Sequence, residues 1–218
     1  KKLESYGIQF SQLDAAFPLN SMDGLTLGVQ YIRNAIRWAK LAGCPYIDTT
    51  DFHDKPEGMS DQEGLQLLKM AYGEALKTAE SHQVAINLEP HGYFTTKPHF
   101  VAEILDAYKS PCLGVNMDTG NTFIAGQDPV AYLDQFKDRV KHVHVKDVSE
   151  ALAQAMRGEM TGIAMSQSAI GDGVNAENIK KCIDLLIRNG YNGVFSMECE
   201  GAVLEKSLDW MRTVVKEG

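Results

Sequence analysis

Acidic side chains end three apolar stretches of the sequence, and two histidines lie in a fourth. The acids are Glu89 at the end of stretch 84–89, Asp118 at the end of stretch 113–118, and Glu198 with Glu200 in stretch 194–200. Carboxylates held close together repel one another and raise one another's pKa values, and a divalent cation removes this conflict. Carboxylates with one imidazole and no thiolate form a hard donor set that suits Mn²⁺, Mg²⁺ or Co²⁺ better than a structural zinc site.

The fourth stretch, 140–147, reads Val-Lys-His-Val-His-Val-Lys-Asp. Its alternation of valine and polar residues is typical of a β-strand and places His142, His144 and Lys146 on one face. In a parallel barrel the valines would pack against helices and the polar face would point inward. An antiparallel strand with a solvent-exposed polar face is the alternative. We expect His144 to be the metal ligand and His142, one pleat deeper, to be its buried supporting neighbour.

Strand-like stretches alternate with helical patterns along the whole chain, and no hairpin signal separates them. About six strands are predicted, at 8–15, 46–50, 84–89, 113–118, 140–147 and 194–200. Two helix starts are well marked, by the capping box Ser60-Asp61-Gln62-Glu63 and by Asp128-Pro129. Alternation of this kind predicts an α/β fold with a parallel sheet.

The number of predicted strands favours a TIM barrel that is only partly present. A complete (β/α)8 barrel has about 250 residues, so 218 residues with six strands fit about the last six β/α units. We expect a single domain, 1–218, in which the first one or two units are absent. An open doubly wound sheet is the alternative, but no predicted strand is followed by a glycine-rich dinucleotide-binding turn.

The amino-acid composition limits the kinds of molecule that the chain is expected to bind. The net charge of −8 argues against a nucleic-acid-binding surface and favours small-molecule chemistry. No apolar run is long enough to cross a bilayer, and the first residues lack a signal-peptide core. The four cysteines fit no metal or redox motif and are expected to be buried free thiols in a reducing compartment. These features predict a cytoplasmic protein with no membrane partner.

Polar residues near the strand ends are candidates for substrate binding. Lys146 could hold an oxyanion or donate a proton, or could instead form a salt bridge with Asp147 or a neighbouring acid. His91 could bind a hydroxyl group or cap its loop. His53 lies in a polar segment, 51–58, which is expected to be an active-site loop, and the glycine-rich segment 158–173 is expected to cover the barrel mouth.

Five short motifs resemble the xylose-isomerase-like TIM-barrel superfamily of sugar isomerases and epimerases. They are Leu88-Glu89-Pro90, Asp118-Thr119-Gly120, the histidine stretch 142–147, Gly171-Asp172-Gly173, and Gly190-Tyr191-Asn192-Gly193 leading to Glu198. The resemblance implies one metal ion held by Glu89, Asp118, His144 and Glu198. We expect Mn²⁺, with Mg²⁺, Co²⁺ or Zn²⁺ as alternatives. It also implies that Glu89 and Glu198 are the catalytic, proton-exchanging pair.

The implied activity is that of a metal-dependent isomerase or epimerase that acts on a sugar or keto-sugar by proton transfer through an enediolate. The alternative is a lyase or dehydratase acting on an oxidised glycoside or inosose, as one subunit of a complex. A homo-oligomer or hetero-oligomer is expected in either case. Epimerases of this family usually have a substrate-binding histidine where this chain has Asn121, and often an arginine where it has Glu150. A catalytically silent barrel used for binding is the non-enzymatic alternative.

Overall fold

Six parallel strands form one sheet in a computed structural model that describes residues 2–51, 54–158, 161–162, 164 and 166–217. The sheet follows chain order, so each strand pairs with the next, and helices connect the strands as in a partial TIM barrel. The strands are β1 Leu13–Asp14, β2 Tyr46–Thr49, β3 Ala85–Leu88, β4 Leu113–Asp118, β5 Val140–Val145 and β6 Phe195–Met197. The predicted fold class, a parallel α/β barrel of about six units, is confirmed.

Eight α-helices occur in the described part of the chain. They are α1 Val29–Ala42, α2 Asp61–His82, α3 Pro98–Ala107, α4 Thr119–Ile124, α5 Pro129–Phe136, α6 Glu150–Met156, α7 Ala176–Arg188 and α8 Leu204–Glu217. The predicted capping box begins α2, since the Ser60 hydroxyl accepts from the Glu63 N–H and the Glu63 carboxylate accepts from the Ser60 N–H. Asp128 caps α5, whose first residue is a proline, as predicted.

The first predicted strand is shorter than expected. Only Leu13 and Asp14 pair with the sheet, opposite Ile47 and Asp48 of β2. Within the described residues β1 is an edge strand whose single neighbour is β2.

Alternation along the strands separates an apolar outer layer from a polar interior. On β5, Val143 and Val145 are buried in the hydrophobic core, while His142 and His144 lie on the opposite face, as the sequence predicts. Buried polar side chains line the interior, including Asp48, Asn87, Asn116 and Asp118. Those of Asn87 and Asn116 are fully buried. The polar faces therefore collect inside the curve of the sheet, where they can act together.

Two buried carboxylates hold the loops that surround this interior. Asp51 accepts hydrogen bonds from the backbone N–H groups of Gly92 and Phe94 and from the Thr95 hydroxyl. Asp147, which follows β5, accepts from the N–H groups at positions 148, 171, 173 and 175, at 2.8, 2.9, 2.9 and 3.1 Å. The sequence allowed Asp147 as a partner for Lys146, but the structure uses it to fix the loop before α7.

We expect Asp147→Ala to lower the free energy of unfolding by roughly 3 kcal/mol, because two buried and two partly buried N–H groups would lose their acceptor. Asp172→Ala is the matched control, since Asp172 lies in the same loop and forms a surface ion pair with Lys206 that is worth less than about 1 kcal/mol. Urea denaturation followed by circular dichroism measures both. Equal losses of stability in the two variants would contradict the structural role given to Asp147.

Candidate metal and active site

Four side chains meet at the carboxyl ends of the last four strands. Glu89 follows β3, Asp118 ends β4, His144 lies near the end of β5, and Glu198 follows β6. Parallel pairing aligns them, because Asp118 lies opposite His144, which lies opposite Ser196. One ligand atom from each of the four lies within 4.8 Å of all the others. The structure therefore brings together all four residues that the sequence proposed as metal ligands.

One carboxylate oxygen of Asp118 accepts hydrogen bonds from the protein, and the other accepts none from the described residues. Its Oδ1 accepts hydrogen bonds from the N–H groups of Gly120, at 2.8 Å, and Asn121, at 2.7 Å, and so caps helix α4. Its Oδ2 is buried and has no hydrogen-bond partner among the described residues, and its nearest cation is Lys146 Nζ, at 3.5 Å. Burial, opposed by the Lys146 charge, raises the pKa of Asp118 to about 7. A buried carboxylate oxygen that accepts no hydrogen bond from the described residues, on a side chain that offers a ligand atom within 4.8 Å of three others, fits a bound cation.

His144 lies between the two glutamates. Its Nδ1 is 3.0 Å from Glu89 Oε1 and 3.1 Å from Glu198 Oε1. Burial acts to lower the pKa of His144, but its hydrogen bonds with Glu198 and Glu89 outweigh burial and raise it to about 11. One ring nitrogen carries at most one hydrogen and cannot donate well to two carboxylates. A cation bound by all three groups would satisfy them at once.

His142 supports His144 through Asn116. Asn116 Oδ1 is 3.0 Å from His142 Nδ1, and Asn116 Nδ2 is 3.0 Å from His144 Nδ1. The two imidazole rings are 5.3 Å apart. Burial lowers the pKa of His142 to about 4, so this histidine is neutral at physiological pH. These contacts match the supporting position predicted for His142.

Lys146 points into the same cluster. Its Nζ is 2.5 Å from Glu198 Oε2 and 2.9 Å from Asn121 Oδ1, and it lies 3.5 Å from Asp118 Oδ2. The sequence left open whether Lys146 pairs with Asp147 or with a neighbouring acid. In the structure Lys146 pairs with the neighbouring acids Glu198 and Asp118. Burial acts to raise the pKa of Glu198, but the hydrogen bond with His144 and the Lys146 charge lower it to about 2. Glu198 is therefore ionised at neutral pH.

A cavity of about 280 Å³ lies over the cluster. Its lining residues are Asp14, Ala16, Asp48, Thr50, Glu89, His91, Asn121, His144, Lys146, Ala164 and Glu198. Three of the four predicted substrate contacts, His91, Asn121 and Lys146, are thus at the cavity, whereas His53 lies outside the described residues. From the segment predicted to cover the mouth, Ala164 lines the cavity and the Gly162 N–H donates to the His91 carbonyl at 2.8 Å, whereas positions 159, 160, 163 and 165 lie outside the described residues. A larger cleft beside the start of α2 contains none of the four clustered residues.

Sequence reasoning missed two acids of this cavity. Asp48 is buried on β2, and its pKa is raised to about 9 by burial and by the charge and hydrogen bond of Glu89. Asp14 lies at the end of β1, beside Asp48 in the sheet. The signal was available, because both are acids in the first two predicted strands, but neither was the last residue of its stretch.

Metal uptake at pH 8 is expected to release about one proton per chain, because a histidine ligand must be neutral and His144 is protonated up to about pH 11 without metal. The pKa of His144 in the metal-free fold lies above its value of about 6.5 in the unfolded chain. The ion pairs of His144 therefore contribute their full stabilisation of the metal-free fold below about pH 6.5. This contribution is lost as the pH rises through about 11, and metal affinity should increase over the same range.

Titration calorimetry in buffers with different ionisation heats measures this proton release. His99→Gln, which changes an exposed histidine, should behave as the unmodified chain does. Metal binding at pH 8 without proton release would show that His144 is not a ligand.

The chain matches the family described as xylose isomerase-like TIM barrel over residues 1–214 and therefore belongs to it. Among curated relatives, the inosose dehydratase of Lacticaseibacillus casei is 25% identical in an alignment of 162 residues that covers 71% of this chain and 52% of the relative. The chain thus spans about half the length of this relative.

Solved structures share the fold at low sequence identity. A D-tagatose 3-epimerase-like protein superposes with a TM-score of 0.82 and 22% identity, over 99% of this chain and 81% of that one. A structure described as IOLI protein with a bound zinc atom gives a TM-score of 0.79 and 16% identity, over 99% of this chain and 81% of that one. In the described part of this chain, no helix is long and apolar enough to span a membrane.

Proposed function

We propose that this chain forms the active site of a metal-dependent isomerase or epimerase acting on a sugar or keto-sugar. The observation that carries the proposal is the position of Glu89 and Glu198, whose carboxylates approach His144 Nδ1 at 3.0 and 3.1 Å within one cluster of four donors. Two carboxylates at one centre provide both a group that removes a proton from carbon and a group that returns it.

Glu89, Asp118, His144 and Glu198 would hold one divalent ion, for which the buried Asp118 Oδ2, which has no hydrogen-bond partner among the described residues, is the supporting observation. Three carboxylates and one imidazole favour Mn²⁺, although a structural neighbour is described with zinc. When bound, such an ion neutralises the negative charge that develops on the substrate oxygens as the proton leaves the adjacent carbon.

The protein side chains supply the proton movements. One glutamate takes the proton from the carbon next to the carbonyl group, which leaves an enediolate. The other glutamate returns a proton, either to the opposite face, which gives an epimer, or to the neighbouring carbon, which gives an isomer. Lys146 Nζ, 2.5 Å from Glu198 Oε2, keeps that carboxylate ionised and offers a positive charge to a substrate oxygen. His91, Asn121 and His53 would complete the substrate contacts.

A dehydratase is the second candidate, and the curated inosose dehydratase relatives favour it. The first step is the same removal of a proton by a glutamate. The enediolate then breaks the bond from its β-carbon to a hydroxyl group, and this oxygen leaves as water after taking a proton from the Lys146 ammonium or a glutamic acid. Loss of one proton and one hydroxyl group balances the release of water.

Three further expectations belong to this proposal. The protein would act on a small carbohydrate in the cytoplasm, would assemble as a homo-oligomer or hetero-oligomer, and would have residues 1–218 in a single barrel domain.

Incubation of the metal-loaded protein with ketoses, inososes and 3-keto-glycosides in D2O tests the proposal. An epimerase or isomerase gives a product of unchanged composition with deuterium on carbon, whereas a dehydratase gives a product that has lost water. Nuclear magnetic resonance and mass spectrometry distinguish these outcomes. Stoichiometric metal with no carbon-bound exchange on any of these compounds would instead support a binding subunit without catalysis.

A further inference from the structure

The loop at residues 90–96 brings His91 to the cavity, and two buried side chains hold it in place. The Thr95 hydroxyl donates to Asp51 Oδ1 at 2.6 Å and accepts from the N–H groups of His91 and Gly92, at 3.1 and 3.3 Å. A hydroxyl group has one hydrogen to donate and two lone pairs that accept, so all three positions are filled. Asp51 and Thr95 are fully buried. The Thr95 hydroxyl is therefore used wholly by contacts within the protein.

Packing against three helices fixes the same loop. The Tyr132 hydroxyl, from α5, donates to the Thr95 carbonyl at 2.8 Å. Phe94 is fully buried, and its ring centroid is 5.0 Å from that of Phe100 on α3. A Cβ atom at Gly64 would lie 2.4 Å from Phe94 Cζ, so only a glycine lets α2 approach the loop this closely. The loop is thus held by side-chain packing as well as by hydrogen bonds.

Both polar groups of the His91 backbone have partners. Its N–H donates to Thr95 Oγ1 at 3.1 Å, and its carbonyl accepts from the Gly162 N–H at 2.8 Å. Two residues earlier, the Glu89 N–H donates to the Thr49 carbonyl at 3.0 Å. Glu89 and His91 both line the cavity. A fixed backbone at both positions sets the points from which the two side chains extend, as a preorganised site requires.

We propose that Thr95 is a positioning residue for the proposed reaction: together with Asp51 it holds the His91 imidazole at the cavity, where the ring binds a hydroxyl group of the substrate. The sequence left open whether His91 binds a hydroxyl group or caps its loop. Asp51 and Thr95 already accept from four N–H groups of this loop, at positions 91, 92, 94 and 95, which favours hydroxyl binding. Because the His91 backbone is already ordered, less conformational freedom is lost when a ligand binds. This inference rests on the proposed function for the identity of the site.

Amide hydrogen exchange of the metal-free full chain, followed by nuclear magnetic resonance, tests the first step. Thr95→Val keeps the shape of the side chain but has no hydroxyl group, so the amides of His91 and Gly92 should exchange at least about fivefold faster. The β3 amide of Ile86, which donates to the Cys112 carbonyl, should not accelerate to the same extent. Thr95→Ser, which restores the hydroxyl group, should exchange as the unmodified chain does.

Thr78→Val is the matched control, since Thr78 is a buried threonine of α2 outside this loop. It should leave the exchange of His91 and Gly92 unchanged. Thr95→Ala also lacks the hydroxyl group and serves as a second variant, with the same expected results as Thr95→Val.

Bound Mn²⁺ reports the position of the His91 ring. The ion speeds the relaxation of nearby protons, and this effect falls steeply with distance. In the metal-loaded chain, Thr95→Val should change the Mn²⁺-induced relaxation rate of the His91 ring protons at least about twofold, whereas Thr95→Ser and Thr78→Val should not change it. A loss of stability alone would not move this signal. Unchanged amide exchange or unchanged ring relaxation in Thr95→Val would overturn the proposal.

Kinetics test the role of the ring in binding. On a ketose, inosose or 3-keto-glycoside that exchanges its carbon-bound proton in D2O, Thr95→Val should raise KM at least about threefold and change kcat less than about twofold. In a His91→Ala background the same substitution should change KM no further. A lower kcat with unchanged KM would refute hydroxyl binding by His91. If no compound exchanges, the proposed catalysis fails, while amide exchange and ring relaxation still decide whether Thr95 positions His91.

Discussion

Glu198→Gln is expected to reduce exchange of the carbon-bound substrate proton by about a thousandfold or more, the upper range for loss of a general base. The Glu198 carboxylate is ionised at neutral pH, because its hydrogen bond with His144 and the charges of Lys146 and His144 lower its pKa to about 2 against the effect of burial. A glutamine amide has the same shape but accepts no proton at neutral pH.

Glu198 is also a proposed metal ligand, so the variant must be assayed with its metal content measured and with metal in excess. Glu205→Gln is the matched control, since Glu205 is an exposed glutamate in the first turn of α8. It should retain full activity. If Glu198→Gln with bound metal exchanges the carbon-bound substrate proton at the full rate, both the proposed isomerase activity and the proposed dehydratase activity are contradicted.

Asp118→Asn is expected to have opposite effects on the metal-free and metal-loaded protein. The pKa of Asp118 is raised to about 7, above an unfolded value of about 3.9, mainly by burial. Its contribution to stability is therefore fully present below about pH 4 and is lost as the pH rises through about 7. Asparagine does not ionise, and its carbonyl oxygen can still accept from the N–H groups of Gly120 and Asn121.

At pH 8 the free energy of unfolding of the metal-free variant should therefore exceed that of the unmodified chain by about 2 kcal/mol. The variant should accordingly unfold at a higher temperature. Added Mn²⁺ should raise the Tm of the unmodified chain and leave that of Asp118→Asn nearly unchanged, because a ligand is lost. Asp128→Asn, which keeps a capping oxygen at α5, should follow the unmodified chain in both measurements. An equal Tm increase with metal in Asp118→Asn would show that Asp118 does not bind the ion.

The sequence was most informative where residue types that can bind a metal ion recurred at the ends of successive predicted strands. Each of the four clustered residues ends or nearly ends a period-two strand, and parallel strands end at one rim. Side-chain type and strand position predicted that acids and His144 would meet at this rim, and the family resemblance selected Glu89, Asp118, His144 and Glu198, which the structure brings together.

Contacts made between distant elements were not predictable in the same way. Helix α4 was missed because Thr119-Gly120-Asn121 is typical of a turn, and only its packing and the capping by Asp118 show it to be helical. The partners of Lys146 depend on side-chain direction at the rim, which strand periodicity does not specify. Asp14 and Asp48 were overlooked because neither is the last residue of its predicted strand, and the register of β1 with β2 places them side by side at the cavity.

Anomalous diffraction from crystals grown with Mn²⁺ tests the central claim most directly. The account predicts one strong peak at the rim of the sheet, within about 2.0–2.3 Å of a donor atom from Glu89, Asp118, His144 and Glu198. A peak at another place, or one that contacts fewer than three of these side chains, would contradict it.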